Sequence, residues 1–491
     1  MSLARPAQRF EPTWESLRTH EVPEWYHDAK LGAIIHWTPS SVPAWAPIEG
    51  DLVSLARERG FDYYFAHNPY TEWYQNTIAI EGSPSALHHA QTYGAATPYT
   101  EFAPMFEAAM ASWDPDAWAS TLEAAGLRYV VFVTKHHDGY TLWPSRTPNP
   151  RLPGYHAPRD VVGELAAALR RRGIRMGLYY SGGLDWSLKH EVIRDIPSLF
   201  RCVGQGREYA AYVDAHWREL IEHYRPDILW GDIGYPAAGE LERIFADYYN
   251  AVPEGLINDR FAQVLPDSMD PTEMVRQPTN EHYDFVTPEY SSFASATDYK
   301  WESTRGIGLG YGYNRTEGPE THASATELVR MVADVVSKNG NLLLGVGPMA
   351  DGTIPAAQAG PLKGLGEWLK TNGQAIYGTR PWIVSESTTE DGIEVRFTRS
   401  AEAVYAILLG DPAGRSIVIP RLLLGDDATV AVVGQPGQIE WARLPAGTLL
   451  RFEGVPVGAP ARALRISPAP TWRDHGSQGV ARSQGPLASF T

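Results

Sequence analysis

Up to about residue 350, short unbroken apolar runs alternate with longer stretches whose apolar positions recur at helical spacing. The runs are LGAIIHW (31–37), YVVFVTKHH (129–137), RMGLYYS (175–181), PDILWGD (226–232), GLINDR (255–260), HYDFVTPEY (282–290), WESTRGIG (301–308) and NGNLLLGVGP (339–348). Most are rich in β-branched and aromatic residues and all are of strand length, so they are expected as buried strands. Between them, DPDAWASTLEAAG, RDVVGELAAALRRRG, REYAAYVDAHWRELIEHY, GELERIFADYYN and SATELVRMVADVVSKNG carry the helical period. Asp114 followed by Pro115 starts the first of these and Gly173 ends the second. Ser324 with Glu327 forms a capping box for the last, which stops at Asn339-Gly340. Eight strands with helical crossovers predict a TIM-like (β/α)8 barrel over residues 1–380, with irregular helices in its second half.

From residue 381 to about 466 the texture changes. GIEVRFTR, AVYAILLG, SIVIP, ATVAVVG, IEWARL, TLLRFEG and ARALRISP are short alternating runs punctuated by Gly, Pro and Asp, with no helical period. They predict a small antiparallel β-sandwich at 381–466. Residues 467–491 are polar and Gly-rich and are expected as a flexible tail.

Composition narrows the function. With 491 residues and 43% hydrophobic content, the chain exceeds one ordinary core. A net charge of -16 and a pI near 5.4 argue against nucleic acid, which requires a basic face. No run approaches the roughly 18 apolar residues of a spanning helix, and the start has no signal-peptide stretch, so no membrane role and a cytoplasmic location are expected. The single cysteine, Cys202, excludes an internal disulfide framework. Sixteen tryptophans and 25 tyrosines suit sugar faces and large cores alike. A homo-oligomer is left open.

In a barrel the carboxyl ends of the strands meet at one mouth, where catalysis is placed. Those ends read His36-Trp37, His136-His137-Asp138, Tyr179-Tyr180, Trp230 with Asp232, Asn258-Asp259-Arg260 and Glu289-Tyr290. A glycosidase needs one ionised and one protonated carboxyl group flanking the sugar. Asp232, after the buried run ILW, is the candidate for the ionised group, with a capping or salt-bridging role as its plain alternative. For the acid, Glu289 sits among aromatic neighbours that would raise its pKa by desolvation; Glu72 and Glu302 compete, and spacing does not rank the three. His36, His136 and His137 suit either sugar hydroxyls or a metal. Adjacent histidines on a regular strand face opposite sides, so His136 and His137 are not both expected inside the barrel, which weakens the metal reading. Arg260 offers a fork for a hydroxyl or carboxylate, or pairs with a mouth acid. GLGYGYN (308–314) lacks the lysine and the setting of a phosphate loop.

The blocks WYHDAKLGAIIHWTPSSVPAW, NPYTEWYQN, SWDPDAWASTL, YVVFVTKHHDGYTLWPS, RDVVGEL, GLYYSGGLDW, PDILWGD, INDRF, TPEY followed by YKWESTRGIGLGYGYN, and VSKNGNLLLGVGP run in order from about residue 10 to 385. Together they resemble the α-L-fucosidases of glycoside hydrolase family 29, with KHHDG and SKNGNLLL the most specific. The resemblance implies a retaining, exo-acting enzyme that removes terminal α-L-fucose from fucosylated glycans or small fucosides, without metal or other cofactor. It implies Asp232 as nucleophile and, through TPEY ahead of KWE, Glu289 as acid/base. It also implies fucose contacts at His36, Glu72, Trp73, His136, His137, Tyr179, Trp230, Arg260 and Tyr311. Thr38 stands where glycine is common, and residues 262–281 form a longer loop than in similar sequences, which bears on the pocket's outer shape. Two rival expectations are a metal-dependent barrel hydrolase and a glycan-binding protein that has lost catalysis.

Overall fold

The computed structural model describes residues 9–189, 191–204, 206–263, 281–412, 416–453, 455–456 and 458–473, with the backbone of Leu487–Ser489. The expected runs form β1 (Leu31–Ile35), β2 (Tyr129–Lys135), β3 (Arg175–Ser181), β4 (Ile228–Asp232), β5 (Leu256–Ile257), β7 (Trp301–Gly306) and β8 (Gly340–Val346); a short β6 (Ser291–Phe293) lies apart from them. Seven of these make one curled parallel sheet in the order β5-β4-β3-β2-β1-β8-β7.

The sixth expected strand is not regular. Residues 284–289 cross between β5 and β7 through isolated parallel bridges: Asn258 with Phe285, Val286 with Trp301, and Glu289 with Thr304. Asp284 N–H donates to the Ile257 carbonyl at 2.8 Å, and Glu302 N–H to that of Val286 at 2.8 Å. Pro288 explains the lapse, because a proline has no N–H for a ladder. The result is an irregular (β/α)8 barrel.

Strand alternation separates two apolar layers. Leu31, Ala33 and Ile35 of β1, Val130 and Phe132 of β2 and Leu229 of β4 face the helices. Ile34, Tyr129, Val131, Val133, Tyr179 and Trp230 face the barrel interior. The same parity turns Asp232 inward. The helices outside include Pro115–Ala124, capped by Asp114, and Val161–Arg171, followed by Gly173 at φ 70. Ala325–Ser337 carries the Ser324–Glu327 capping box. Among the described residues no helix is long and apolar enough to cross a membrane.

Beyond Arg380 the described chain is all β. A five-stranded and a three-stranded antiparallel sheet enclose Trp382, Val395, Phe397, Ile417, Leu450 and Ile466. Part of the segment expected to be mobile is structured: Thr471–Trp472 pairs with Leu422–Leu423, and Leu487–Ser489 pairs with β6. Its remainder, 474–486 and 490–491, and residues 264–280 of the long loop lie outside the described residues.

Candidate active site

The eleven residues expected as catalytic or fucose-contacting all line one cavity of about 360 Å³ at the carboxyl ends of the strands. Its polar floor is organised around Arg260. One nitrogen, Nη1, donates to Asp232 Oδ1 at 3.1 Å and to Glu289 Oε1 at 2.7 Å. Those two oxygens can be no farther apart than the two bonds end to end, which is less than the ~6.5 Å at which inverting pairs begin. Arg260 is fixed from behind, with Nε donating to Thr287 Oγ1 at 2.7 Å and Nη2 to the Thr287 carbonyl at 2.8 Å. Burial opposes its charge, yet Glu289 and Asp232 outweigh burial and hold its pKa well above the usual value.

Asp232 ends β4, and Tyr179 on the adjacent β3 donates its phenol hydrogen to Oδ2 at 2.7 Å. Tyr179 stacks on Trp230 at 5.5 Å, and the guanidinium of Arg260 lies 4.9 Å from the centre of the same indole. Glu289 Oε2 accepts from Tyr70 at 3.1 Å. Each carboxyl residue is followed by a non-glycine residue in left-handed backbone, Ile233 at φ 55 and Tyr290 at φ 48. Such conformations are costly for bulky side chains and concentrate at functional sites. Here each turns the chain away just after the carboxyl group has been delivered to the cavity.

The two histidines of KHHDG both reach the cavity, contrary to the expectation from strand alternation. β2 ends at Lys135 after a register shift between Val133 and Lys135, so His136 and His137 leave the pleat. Their rings lie 3.9 Å apart, with His36 5.3 Å from His136. Gly139 at φ 81 and Asp138, which accepts from Tyr99 and from the Tyr140 N–H, close the turn. Burial, reinforced by His137, pulls His36 down to about 3; burial likewise carries His136 and His137 well below the ordinary imidazole range. All three are therefore neutral hydrogen-bonding groups near neutral pH. The Nδ1 atoms of His36 and His136 are buried without a partner among the described residues.

Glu72 is held by the loop that superficially resembled a phosphate cradle. The N–H groups of Tyr311 and Gly312 donate to its two oxygens at 3.3 and 3.1 Å. A side chain at Gly312 would collide with Thr71 and Glu72, which accounts for the glycine. Burial raises Glu72 to about 7 against the lowering effect of these N–H groups. Glu302, an expected competitor for the acid, is instead sealed inside the barrel, accepting from Tyr26 at 2.8 Å, Tyr129 at 2.5 Å and Trp230 at 3.0 Å. It does not line the cavity; it orients Trp230.

Sequence reasoning missed Tyr70, Thr287 and Ser181, whose hydroxyl lies 2.7 Å from His137 Nδ1. Tyr70 was within reach, lying two residues before Glu72 in NPYTEW. Among the described residues, His20, His282 and Asp284 are close enough together to share an ion, but none lines the cavity. Asp284 already binds His20 at 2.8 Å and Tyr249 at 2.8 Å.

The family model described as alpha-L-fucosidase matches residues 1–374. Human tissue alpha-L-fucosidase is 31% identical over 467 residues, covering 90% of this chain and 87% of that one. The structure of Thermotoga maritima alpha-fucosidase in complex with fucose is 42% identical, covers 93% of this chain and 100% of that one, and superposes with a TM-score of 0.81. A second structure of the same enzyme, in complex with a mechanism-based inhibitor, gives 41%, 94%, 100% and 0.81. A carboxyl pair joined by one guanidinium in a cavity shared with three neutral imidazoles, on this barrel and with this likeness along nearly the whole chain, makes the protein a member of the α-L-fucosidase family.

Proposed function

We propose that the protein is a retaining, exo-acting α-L-fucosidase that takes terminal α-L-fucose from fucosylated glycans and small fucosides, with Asp232 as nucleophile and Glu289 as acid/base. The observation that carries this reading is the single Arg260 nitrogen bonded to both carboxyl groups, because it holds their bonded oxygens closer than inverting pairs stand, as a retaining pair requires. In the first step Asp232 bonds to the anomeric carbon as the glycosidic C–O bond breaks, and the Glu289 proton passes to the departing oxygen. In the second step Glu289, now ionised, takes a proton from water; the water oxygen bonds to the anomeric carbon and the Asp232 carboxylate leaves. Two inversions return the original anomer.

The rest of the floor suits a deoxy sugar. Neutral His36, His136 and His137 can donate or accept toward hydroxyl groups, and Glu72 accepts from them. Trp73, Tyr179, Trp230 and Tyr311 add ring surface, which favours a methyl group where other hexoses carry a hydroxymethyl. The Thermotoga maritima enzyme in complex with fucose supports the same choice of sugar.

The test is the first product anomer from an aryl α-L-fucoside, read by NMR before mutarotation. Initial release of α-L-fucose agrees with the proposal; initial release of the β anomer refutes the mechanism.

A further inference from the structure

Away from its polar floor the cavity changes character. Its outer wall comes from three short helices that follow two barrel strands: Leu52–Arg59 and Phe61–Ala66 after β1, and Ile196–Cys202 after β3. Leu52, Val53, Phe61, Ile196 and Phe200 line it and remain partly exposed, so apolar surface faces the open cavity. Among the described residues that these helices give the cavity, Arg57 alone is charged, and it is exposed.

A path of rings connects the Phe61–Ala66 part of this wall to the acid side of the floor. Phe61 lies 6.5 Å from Tyr64, and Tyr64 lies 6.4 Å from Tyr70. The Tyr70 hydroxyl is the one that donates to Glu289 at 3.1 Å. A second contact, Phe65 to Trp73 at 5.8 Å, ties the same helix to the sugar floor. Through Phe61 and Tyr64 the wall therefore adjoins the Tyr70 that binds the proton donor, on the side where the departing alcohol of a fucoside must lie. A second sugar there would strip its hydroxyl groups of water and meet few side-chain partners, which is costly. An apolar ring would gain by the same burial.

We propose that Leu52, Val53, Phe61, Ile196, Leu199 and Phe200 form a leaving-group subsite for an apolar ring alcohol, aromatic or alicyclic, in preference to a second sugar. This inference rests on the fucosidase reading. It is tested by kcat/KM for cyclohexyl α-L-fucoside, methyl α-L-fucoside and an α-L-fucosyl-galactose disaccharide, with α-L-fucosyl fluoride as a substrate that needs no leaving-group contact. Cyclohexyl fucoside is expected to exceed both of the others by at least about tenfold, the scale of methylene-sized discrimination in apolar pockets. Two separate substitutions at half-buried positions, Val53→Asn and Phe200→Ser, are each expected to bring the cyclohexyl-to-methyl ratio toward unity. A disaccharide turned over better than cyclohexyl fucoside overturns the subsite and leaves the fucosidase reading intact. So does a ratio unchanged in both variants. Inertness toward all four compounds refutes the fucosidase reading, and the subsite with it.

Discussion

The phenol of Tyr179 donates a 2.7 Å hydrogen bond to Oδ2 of Asp232, across the β3–β4 pairing that sets Ser181 beside Asp232. With Oδ1 bonded to Arg260, both oxygens of the carboxyl group are held, and its plane is fixed before substrate arrives. Tyr179→Phe keeps the ring and its stacking but removes that bond. A hydrogen bond to a charged group contributes about 1.5–3 kcal/mol, so kcat/KM is expected to fall about tenfold to hundredfold. Steady-state kinetics with an aryl fucoside, beside a thermal melt close to wild type, checks this; an unchanged kcat/KM rejects the positioning role.

The proposed acid/base role of Glu289 predicts that its removal spares activated leaving groups and exposes the site to small anions. For Glu289→Ala, azide is expected to restore turnover of an aryl fucoside and to yield fucosyl azide of retained configuration. Glu302→Gln should show no such rescue, because Glu302 is walled in by Tyr26, Tyr129 and Trp230. Its loss should appear as a lowered melting temperature, since three buried donors lose an ionisable partner. Azide rescue in Glu302→Gln but not in Glu289→Ala would reassign the role.

Glu72 couples function to stability. Its carboxyl group is raised by burial from 4.5 to about 7, so between those pH values the folded chain binds a proton that the unfolded chain has lost. Stability from this group is full below about pH 4.5 and is lost as pH rises through about 7. Glu72→Gln removes the dependence. The melting temperature of the variant minus that of wild type should therefore grow from pH 4.5 to pH 7 and level off above it, while fucoside turnover falls. A difference constant with pH would contradict the buried, proton-binding state of Glu72.

Gly139 tests the turn that delivers the histidines. Its φ of 81 strains any other residue, and an added Cβ would strike Asp185 and Ser187. Asp185 is the buried partner of Lys135 at 3.0 Å. Gly139→Ala is expected to cost about 2 kcal/mol or more, the left-handed penalty plus disturbance of that pair. Loss of both thermal stability and kcat/KM is the expected outcome; a variant as stable as wild type would show that the turn tolerates a side chain.

The candidate site was legible where it followed from strand ends, because a parallel barrel gathers those ends at one mouth. Asp232, Trp230 and Tyr179 were reached from the ends of β3 and β4, and the regular pairing of these two strands brings all three to the cavity. The joint placement of His136 and His137 there was not legible, since a register shift two residues earlier removed them from the pleat, and no residue type announces that shift. Glu302 lies on a regular strand and looks, in sequence, as available as Glu289. Only the three donors that surround it show it to be interior. The left-handed turns at Ile233 and Tyr290 carry no glycine and were invisible for that reason.

The two carboxyl groups hang from walls of unequal stiffness. Asp232 belongs to a strand laddered to β3 along its length and to β5 at its start, whereas Glu289 sits on a stretch stitched in by isolated bridges. Amide deuterium uptake should accordingly run faster across 285–289 than across Ile228–Asp232. Under the proposed assignment, the attacking group would be anchored in a full ladder and the proton carrier would ride a more loosely bonded seam, able to follow departing alcohols of different bulk.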